Sequence, residues 1–179
     1  MKIPHDPEEI IALVDETDRI VGETTRKEAH EKGLLHREAY VYILNSKKHV
    51  LMQKRKDHHL WDHSAAGHFP KNQNYEEAAL REAEEELGIK LDKIELKEIA
   101  YEKLKVVRKD WGMVNYRFFK IYLVRKDIPL DKYKPDRDEV EEVKYFSKKD
   151  LEEVFRKKEE IIIDTTKYIL KKYVMKEME

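Results

Sequence analysis

The residues with the clearest chemical potential lie in one acidic segment in the middle of the chain, Arg81-Glu82-Ala83-Glu84-Glu85-Glu86-Leu87-Gly88-Ile89. On a helix, Glu82, Glu85 and Glu86 stand at positions i, i+3 and i+4, so three carboxylates share one face. Like charges this close destabilise a helix unless a cation lies against them, and Mg²⁺, which prefers oxygen ligands, suits this role. Arg81 lies four residues before Glu85 and can orient its carboxylate. The segment therefore predicts a metal site on a helix.

The same segment resembles the Nudix box, the signature of Nudix hydrolases, written G-x5-E-x7-R-E-U-x-E-E-x-G-U with U apolar. On this chain the box spans residues 67–89, and eight of its nine defined positions agree at fixed spacing. The agreeing residues are Gly67, Arg81, Glu82, Ala83, Glu85, Glu86, Gly88 and Ile89. Gln73 stands where the family has a glutamate. The alternative reading, a solvated acidic helix, predicts neither Gly67 nor the order of the charged residues.

The resemblance implies an enzyme that hydrolyses a phosphoanhydride bond in a nucleoside diphosphate-linked or related organic diphosphate, with Mg²⁺ or Mn²⁺ as cofactor. It assigns Gly67, Glu82, Glu85 and Glu86 to the metal, and Arg81, Glu82 and Glu85 to catalysis. A carboxylate-held metal lowers the pKa of bound water, which makes hydroxide available near neutral pH. Gln73, on the substrate side, removes one negative charge, so we expect lower metal affinity or an altered substrate choice.

Residues outside the box supply the remaining candidates. Glu139 and Glu142, at the last predicted strand, are candidates for the general base, although both also fit a solvated acidic edge. Lys54 and Arg55 end a predicted strand, where they could bind a substrate phosphate or block edge-to-edge aggregation.

Two aromatic residues and three loop histidines each leave two interpretations open. Trp111 and Tyr116 could stack on a base or ring of the substrate, and ordinary aromatic packing is the alternative. Three further histidines, expected to be solvent-exposed, could reach a phosphate. They are His58, His59 and His63.

The N-terminal half is similar to a divergent Nudix relative, isopentenyl diphosphate isomerase, at four places. These are Val14-Asp15-Glu16, Gly33-Leu34-Leu35-His36-Arg37, Trp61, and Ser64-Ala65-Ala66-Gly67-His68. His36 and His68 match two of its metal-binding histidines, and His30 lies one place from a third. The resemblance implies a second metal site there, with His68 also near substrate. Local hydrogen bonding of these imidazoles is the alternative.

Three departures favour hydrolysis over isomerisation. Ala66 stands where the isomerase has its catalytic cysteine, and no Glu-x-Glu occurs between Glu102 and Val124, where its remaining carboxylates belong. The box, degenerate in the isomerase, is also nearly intact here. A third reading is a catalytically weak nucleotide-binding protein, which only Gln73 favours.

Composition limits the other function classes. The chain has 179 residues, 42% of them charged, with 37 Lys and Arg against 38 Asp and Glu. Because the positive and negative charges nearly cancel, the protein has no overall electric field that would attract nucleic acid or a membrane surface. The expected partner is therefore a small-molecule diphosphate. There is no cysteine, no 18-residue apolar run and no signal-peptide pattern, which together favour a cytoplasmic protein. A homodimer is an expectation at family level only.

The periodicity predicts a mixed α/β chain. The box helix is expected over residues 75–87, capped by Asn74 with Glu77 and ended by Gly88. Strands are expected at 39–44, 50–55, 94–104, 114–124 and 141–146, with a polar loop over 105–112 and helices over 147–158 and 161–178. The resemblance implies the Nudix fold, an α/β/α sandwich with a mixed central β-sheet. We expect one domain over 1–179, comprising an N-terminal strand and hairpin extension (1–36), the box (67–89) and C-terminal helices (147–179).

Overall fold

The computed structural model describes residues 6–109, 112–157 and 160–179, which form one mixed sheet with helices on both faces. The strands are β1 (Ile10–Val14), β2 (Ile20–Thr25), β3 (Leu35–Leu44), β4 (Val50–Arg55), β5 (Trp61–Asp62), β6 (Ala65–His68), β7 (Lys97–Arg108), β8 (Met113–Arg125) and β9 (Val140–Phe146). The helices are α1 (Arg26–Lys32), α2 (Tyr75–Leu87), α3 (Lys148–Lys157), α4 (Asp164–Ile169) and α5 (Met175–Glu177), and a π-helical turn (Leu170–Val174) joins the last two.

Strand β3 organises the sheet because it pairs with several others. It runs parallel to β8 over ten residue pairs, from Leu35 opposite Tyr116 to Leu44 opposite Arg125. It runs antiparallel to β6, which follows it by only 20 residues, and it also contacts β1 and β4. Strand β7 extends the sheet beyond β8, and β9 extends it beyond β4.

Alternating side chains of β3 point to two apolar cores, one on each face of the sheet. Ala39, Val41 and Ile43 pack in the core that contains α2. Tyr40, Tyr42 and Leu44 pack in the core that contains the C-terminal helices. This arrangement confirms the predicted α/β/α sandwich with a mixed central sheet.

Helix α2 has the predicted boundaries and caps. The Asn74 side chain accepts a hydrogen bond from the Glu77 backbone N–H at 3.0 Å, and the Glu77 carboxylate accepts one from the Asn74 N–H at 2.9 Å. The helix ends at Gly88, whose φ of 65° lies in the left-handed region. The helix can approach the sheet closely because its buried face carries mainly small residues, namely Ala78, Ala79 and Ala83.

Several boundary predictions were wrong. Strand β3 begins at Leu35 rather than at 39, and β7 begins at Lys97 rather than at 94. Strand β7 continues to Arg108, so Lys105–Arg108 are not loop; pairing with β8 satisfies their backbone groups even though the sequence is polar. The last helix begins at Asp164 rather than at 161, because Ile162 forms a parallel bridge with Trp61. Trp111 lies outside the described residues. Within the described chain, no helix is long and apolar enough to cross a membrane.

Gly88 gives the first testable prediction. A Cβ on this residue would lie 2.5 Å from the Lys134 carbonyl oxygen, in addition to the strain of a positive φ. We expect Gly88→Ala to lower the free energy of unfolding by about 2–4 kcal/mol, measured by urea denaturation. Gly112→Ala is the matched control, because Gly112 has φ 62° and no atom within 4 Å of the added Cβ. Equal losses for the two variants would contradict the role of Lys134.

Candidate functional site

Four buried side chains that can bind a metal converge beside β3. One ligand atom from each of them lies within 4.8 Å of the others. We call them the histidine cluster: His30, His36, Glu38 and His68. Within the described ranges, this is the only such group of three or more His, Asp or Glu side chains. The structure therefore brings together the three histidines that the sequence singled out and adds Glu38.

Strand register explains why these residues meet. His36 and Glu38 are two residues apart on β3, so their side chains lie on the same face of the sheet. Glu38 is directly opposite His68 in the β3–β6 pair. His30 comes from α1, which the left-handed Gly33 ends just before β3 begins. The three imidazole centroids are 5.0–5.1 Å apart.

His30 and His36 each have a buried ring nitrogen that is available to a metal ion. His36 Nδ1 lies 2.8 Å from the Leu34 carbonyl oxygen, so Nδ1 carries the proton and Nε2 carries a lone pair. The Nε2 atoms of His30 and His36 are buried without a hydrogen bond of normal geometry. Burial, with the neighbouring His36, lowers the pKa of His30 to about 4. Burial also lowers the pKa of His36 and of His68, so all three rings are neutral near pH 7.

Glu38 is the centre of a polar network. Its carboxylate lies 2.9 Å from His68 Nε2, 3.1 Å from Asn115 Nδ2 and 2.8 Å from Arg117 Nε, and it accepts a hydrogen bond from the Tyr40 hydroxyl. Burial alone would raise the pKa of Glu38, but Arg117 and His68 together hold it well below the usual carboxyl value. Three imidazoles and an ionised carboxylate fit a transition ion such as Mn²⁺ better than Mg²⁺.

The predicted box residues are divided between a buried and an exposed group. Glu82 is buried, and its Oε1 lies 2.8 Å from Arg81 Nη2. Arg81 Nη1 contacts Glu85 Oε2 at 2.8 Å, and the Glu85 side chain is 40% exposed. Arg81 Nε also donates to Gln73 Oε1 at 3.2 Å. Arg81 thus orients both carboxylates, and Gln73 contacts it through an amide oxygen.

Glu86, also a box residue, lies in a second buried network that is separate from the contacts of Arg81. It accepts hydrogen bonds from Arg55 Nη1 at 2.6 Å, Gln53 Nε2 at 2.8 Å and the Ala66 N–H at 3.0 Å. Arg55 Nη2 also donates to Glu139 Oε2 at 2.9 Å. The Arg55 side chain, only 4% exposed, therefore bridges two carboxylates and supplies positive charge where the sequence predicted a metal ligand.

A cavity of about 490 Å³ is lined by three members of the histidine cluster, His30, Glu38 and His68, and by residues of both networks; His36 does not line it. Six of the predicted site residues line it: Gly67, Glu82, Glu86, Arg55, His68 and Glu139. The other five do not: Arg81, Glu85, Gln73, Lys54 and Glu142. Lys54 instead forms an ion pair with Glu141 at 2.8 Å, and Glu142 is exposed on β9.

Sequence reasoning missed several residues of the cavity wall, among them Glu38, Tyr40, Asn115, Arg117 and Asp62. One signal was available for Glu38, because a polar residue two positions after His36 on a strand must lie on the same face. His63 was wrongly expected to be exposed. It is buried under the Tyr40 ring, and its Nδ1 hydrogen-bonds with the Tyr42 hydroxyl.

The remaining candidates differ in exposure. The His59 side chain is 68% exposed, as expected, and contacts Glu141 at 2.7 Å. His58 was wrongly expected to be exposed, because its side chain is only 14% exposed and lines the cavity. The Tyr116 hydroxyl donates to Glu16 at 3.0 Å, and its ring does not line the cavity.

The close approach of Gly67 to Glu82 generates a prediction. A Cβ on Gly67 would lie 2.0 Å from Glu82 Oε1. Gly67→Ala must therefore displace that carboxylate, and we expect a loss of about 1–3 kcal/mol in the free energy of unfolding. In a Glu82→Ala background the same change should be clearly less harmful, because the blocking atom is gone. Additive losses in this double-mutant cycle would contradict the contact.

The buried bridge from Arg55 to Glu86 and Glu139 gives a further testable prediction. Arg55→Met leaves Glu86 and Glu139 buried without their shared cation, and we expect a loss of about 3–5 kcal/mol, measured by chemical denaturation. Glu86→Gln, added to that variant, should recover part of the loss. Lys54→Met is the matched control: it removes the adjacent, more exposed cation and should change stability by less than about 1 kcal/mol. A comparable loss in both single variants would argue against a buried bridge.

Comparison with known proteins agrees with this geometry. The NUDIX domain model matches residues 34–165. An isopentenyl-diphosphate Delta-isomerase from Pectobacterium atrosepticum is 31% identical over 125 residues, covering 66% of this chain and 68% of the relative. An uncharacterized Nudix hydrolase from Clostridium acetobutylicum is 31% identical over 144 residues, covering 74% and 67%.

A solved structure extends the likeness to the fold. A crystal structure of a Deinococcus radiodurans protein superposes with a TM-score of 0.68 at 21% identity, covering 91% of this chain and 97% of that one. Together with the box residues and the histidine cluster, these matches show that the chain belongs to the NUDIX domain family, as a Nudix hydrolase of the branch similar to isopentenyl-diphosphate isomerase.

Proposed function

We propose that this protein is a metal-dependent hydrolase that cleaves the phosphoanhydride bond of a nucleoside diphosphate-linked or related organic diphosphate. The observation that supports this most is one cavity lined both by His30, Glu38 and His68 of the histidine cluster and by the box carboxylates Glu82 and Glu86. The cavity volume suits a small molecule of this size. The buried donors suit a divalent ion, with Mn²⁺ favoured by the imidazoles and Mg²⁺ by the carboxylates alone.

Two sets of residues would hold divalent ions. The first is the histidine cluster, and the second comprises Gly67, Glu82, Glu85 and Glu86 of the box. A divalent ion bound there supplies charge neutralisation for the diphosphate and a water molecule of lowered pKa. Arg81 keeps the Glu82 and Glu85 carboxylates in place through its two ion pairs.

The remaining residues bind substrate and move a proton. Arg55 faces the cavity, where its guanidinium can bind a phosphate oxygen while it holds Glu139. Glu139 is favoured over Glu142 as general base, because it lines the cavity and Glu142 does not. Lys54, outside the cavity, would act on the approaching anion through its charge, and Gln73 would act through Arg81.

Isomerisation of isopentenyl diphosphate to its allylic isomer is the second candidate function. The histidine cluster and the isomerase from Pectobacterium atrosepticum, at 31% identity, favour it. Ala66 opposes it, because its methyl group on the cavity wall cannot donate or accept a proton.

The central prediction is divalent-ion-dependent hydrolysis. The purified protein, incubated with a panel of organic diphosphates, should release phosphate or a nucleoside monophosphate with Mn²⁺ or Mg²⁺ and not with EDTA. Glu85→Gln and His36→Ala should each lower kcat by at least about 100-fold, because each removes a charge or donor from the metal sites. His59→Ala is the matched control on an exposed histidine and should retain turnover.

The other outcomes separate the alternatives. Conversion of isopentenyl diphosphate to its allylic isomer would show that the protein is an isomerase rather than a hydrolase. Saturable nucleotide binding without turnover of any diphosphate would indicate a binding protein. Turnover that persists in EDTA would refute the proposed function.

A further inference from the structure

Arg117 is a fully buried cation next to the histidine cluster. Its side chain is 1% exposed, and its Nε lies 2.8 Å from Glu38 Oε2. The guanidinium also donates to the Tyr40 hydroxyl at 3.2 Å and to the Asn115 carbonyl oxygen at 3.3 Å. A guanidinium keeps its proton in any protein environment, so Arg117 carries a permanent positive charge.

The charge of the cluster depends on Glu38 and Arg117. An imidazole binds a metal ion only in its neutral form, so the three histidines add no charge to an occupied site. The single negative charge is on Glu38, and Arg117 already balances it. The four donors and their buried cation therefore have no net charge before an ion binds.

The neighbouring acids are held by their own cations. Glu82 and Glu85 share Arg81, and Glu86 and Glu139 share Arg55, so each of these groups keeps one excess negative charge outside the cluster. Among the four donors of the cluster, the only carboxylate is Glu38, and Arg117 neutralises it at 2.8 Å. A divalent ion in the cluster would thus bring two positive charges against donors that offer no uncompensated negative charge. Uncompensated charge in such a place is strongly unfavourable.

An anion from the cavity would remove this imbalance. Three members of the cluster, His30, Glu38 and His68, line the 490 Å³ cavity, and Arg55 and Arg108 line the same cavity. We propose that a divalent ion in the histidine cluster requires an anionic phosphate oxygen as an additional ligand, because Arg117 cancels the charge of Glu38. The inference rests on the proposed metal site and makes Arg117 the residue that links metal binding to substrate binding.

Thermodynamic linkage between metal binding and phosphate binding makes the proposed coupling measurable. If phosphate tightens the binding of the metal by some factor, the metal must tighten the binding of phosphate by the same factor. The substrate-free protein would hold the ion weakly, and the substrate would complete the site. Arg117 is a positioning residue in this account, since it acts through Glu38 rather than on the substrate.

The test is equilibrium dialysis of the whole protein with Mn²⁺, with and without inorganic phosphate. Free Mn²⁺ is measured on the protein-free side, which corrects for Mn²⁺–phosphate complexes. We expect phosphate to lower the Mn²⁺ dissociation constant of the cluster about tenfold. The double variant His36→Ala/His68→Ala identifies the ions bound elsewhere, including at the box. No effect of phosphate on the wild-type cluster would overturn the inference.

Variants of Arg117 test its role. Arg117→Gln leaves Glu38 uncompensated, so Mn²⁺ should bind more tightly without phosphate, and the effect of phosphate should fall toward onefold. Arg117→Lys keeps the charge and should retain the coupling, as should Arg125→Gln, which removes an exposed cation from the same strand. Weaker Mn²⁺ binding in Arg117→Gln would contradict the charge argument. If Arg117→Gln does not fold, the effect of phosphate on Mn²⁺ binding to the wild-type protein still tests the inference.

The two proposals fail separately. Unchanged Mn²⁺ binding in the histidine double variant would show that the cluster holds no ion, and the proposed metal site would fall. Cluster binding that is indifferent to phosphate would leave the metal site standing and remove only the link through Arg117.

Discussion

The structure of the cavity depends on the burial of one carboxylate, that of Glu38. This side chain is 8% exposed, and an isolated ion at such a depth would be several kcal/mol less stable than in water. Asn115 and Arg117 donate to it from β8 and Tyr40 donates from β3 itself, while His68 Nε2 of β6 lies 2.9 Å from it. Because the carboxylate needs all of these partners, it fixes the positions of side chains from three strands. The histidine cluster is preorganised by this same set of contacts.

The strand pairing transmits this arrangement to the rest of the molecule. Side chains of β6 alternate between the two faces: Gly67 touches Glu82 of the box helix, while the next residue, His68, joins the cluster. The backbone N–H of Ala66, one residue earlier, donates to Glu86. A four-residue strand thus contacts both sets of proposed metal ligands. A change that shifts β6 by one residue would exchange the two faces and dismantle both.

The sequence predicted the features that depend on contacts between residues close together in the chain. It missed those that depend on contacts between distant residues. The box helix was predicted to the residue, because its N-cap, capping box and Gly88 stop all act within a few positions of the chain. The α/β/α sandwich was also expected, but from the resemblance of the box to the Nudix family rather than from local patterning. Arg117 was missed because its partner Glu38 is about 80 residues away, and only the parallel β3–β8 register brings them together. The length of β7 was missed for the same reason, since β8 satisfies its polar segment.

The pairing of acids with buried arginines also resolves a conflict in the cavity wall. The proposed substrate is an anion, yet the wall contains Glu38, Glu86 and Glu139. Left unpaired, these carboxylates would repel a diphosphate strongly in a region of low dielectric. Arg117 balances Glu38, and Arg55 bridges the other two. The wall therefore keeps oxygen atoms for a metal without presenting their full charge to the substrate, and a divalent ion entering with the anion leaves the site close to neutral.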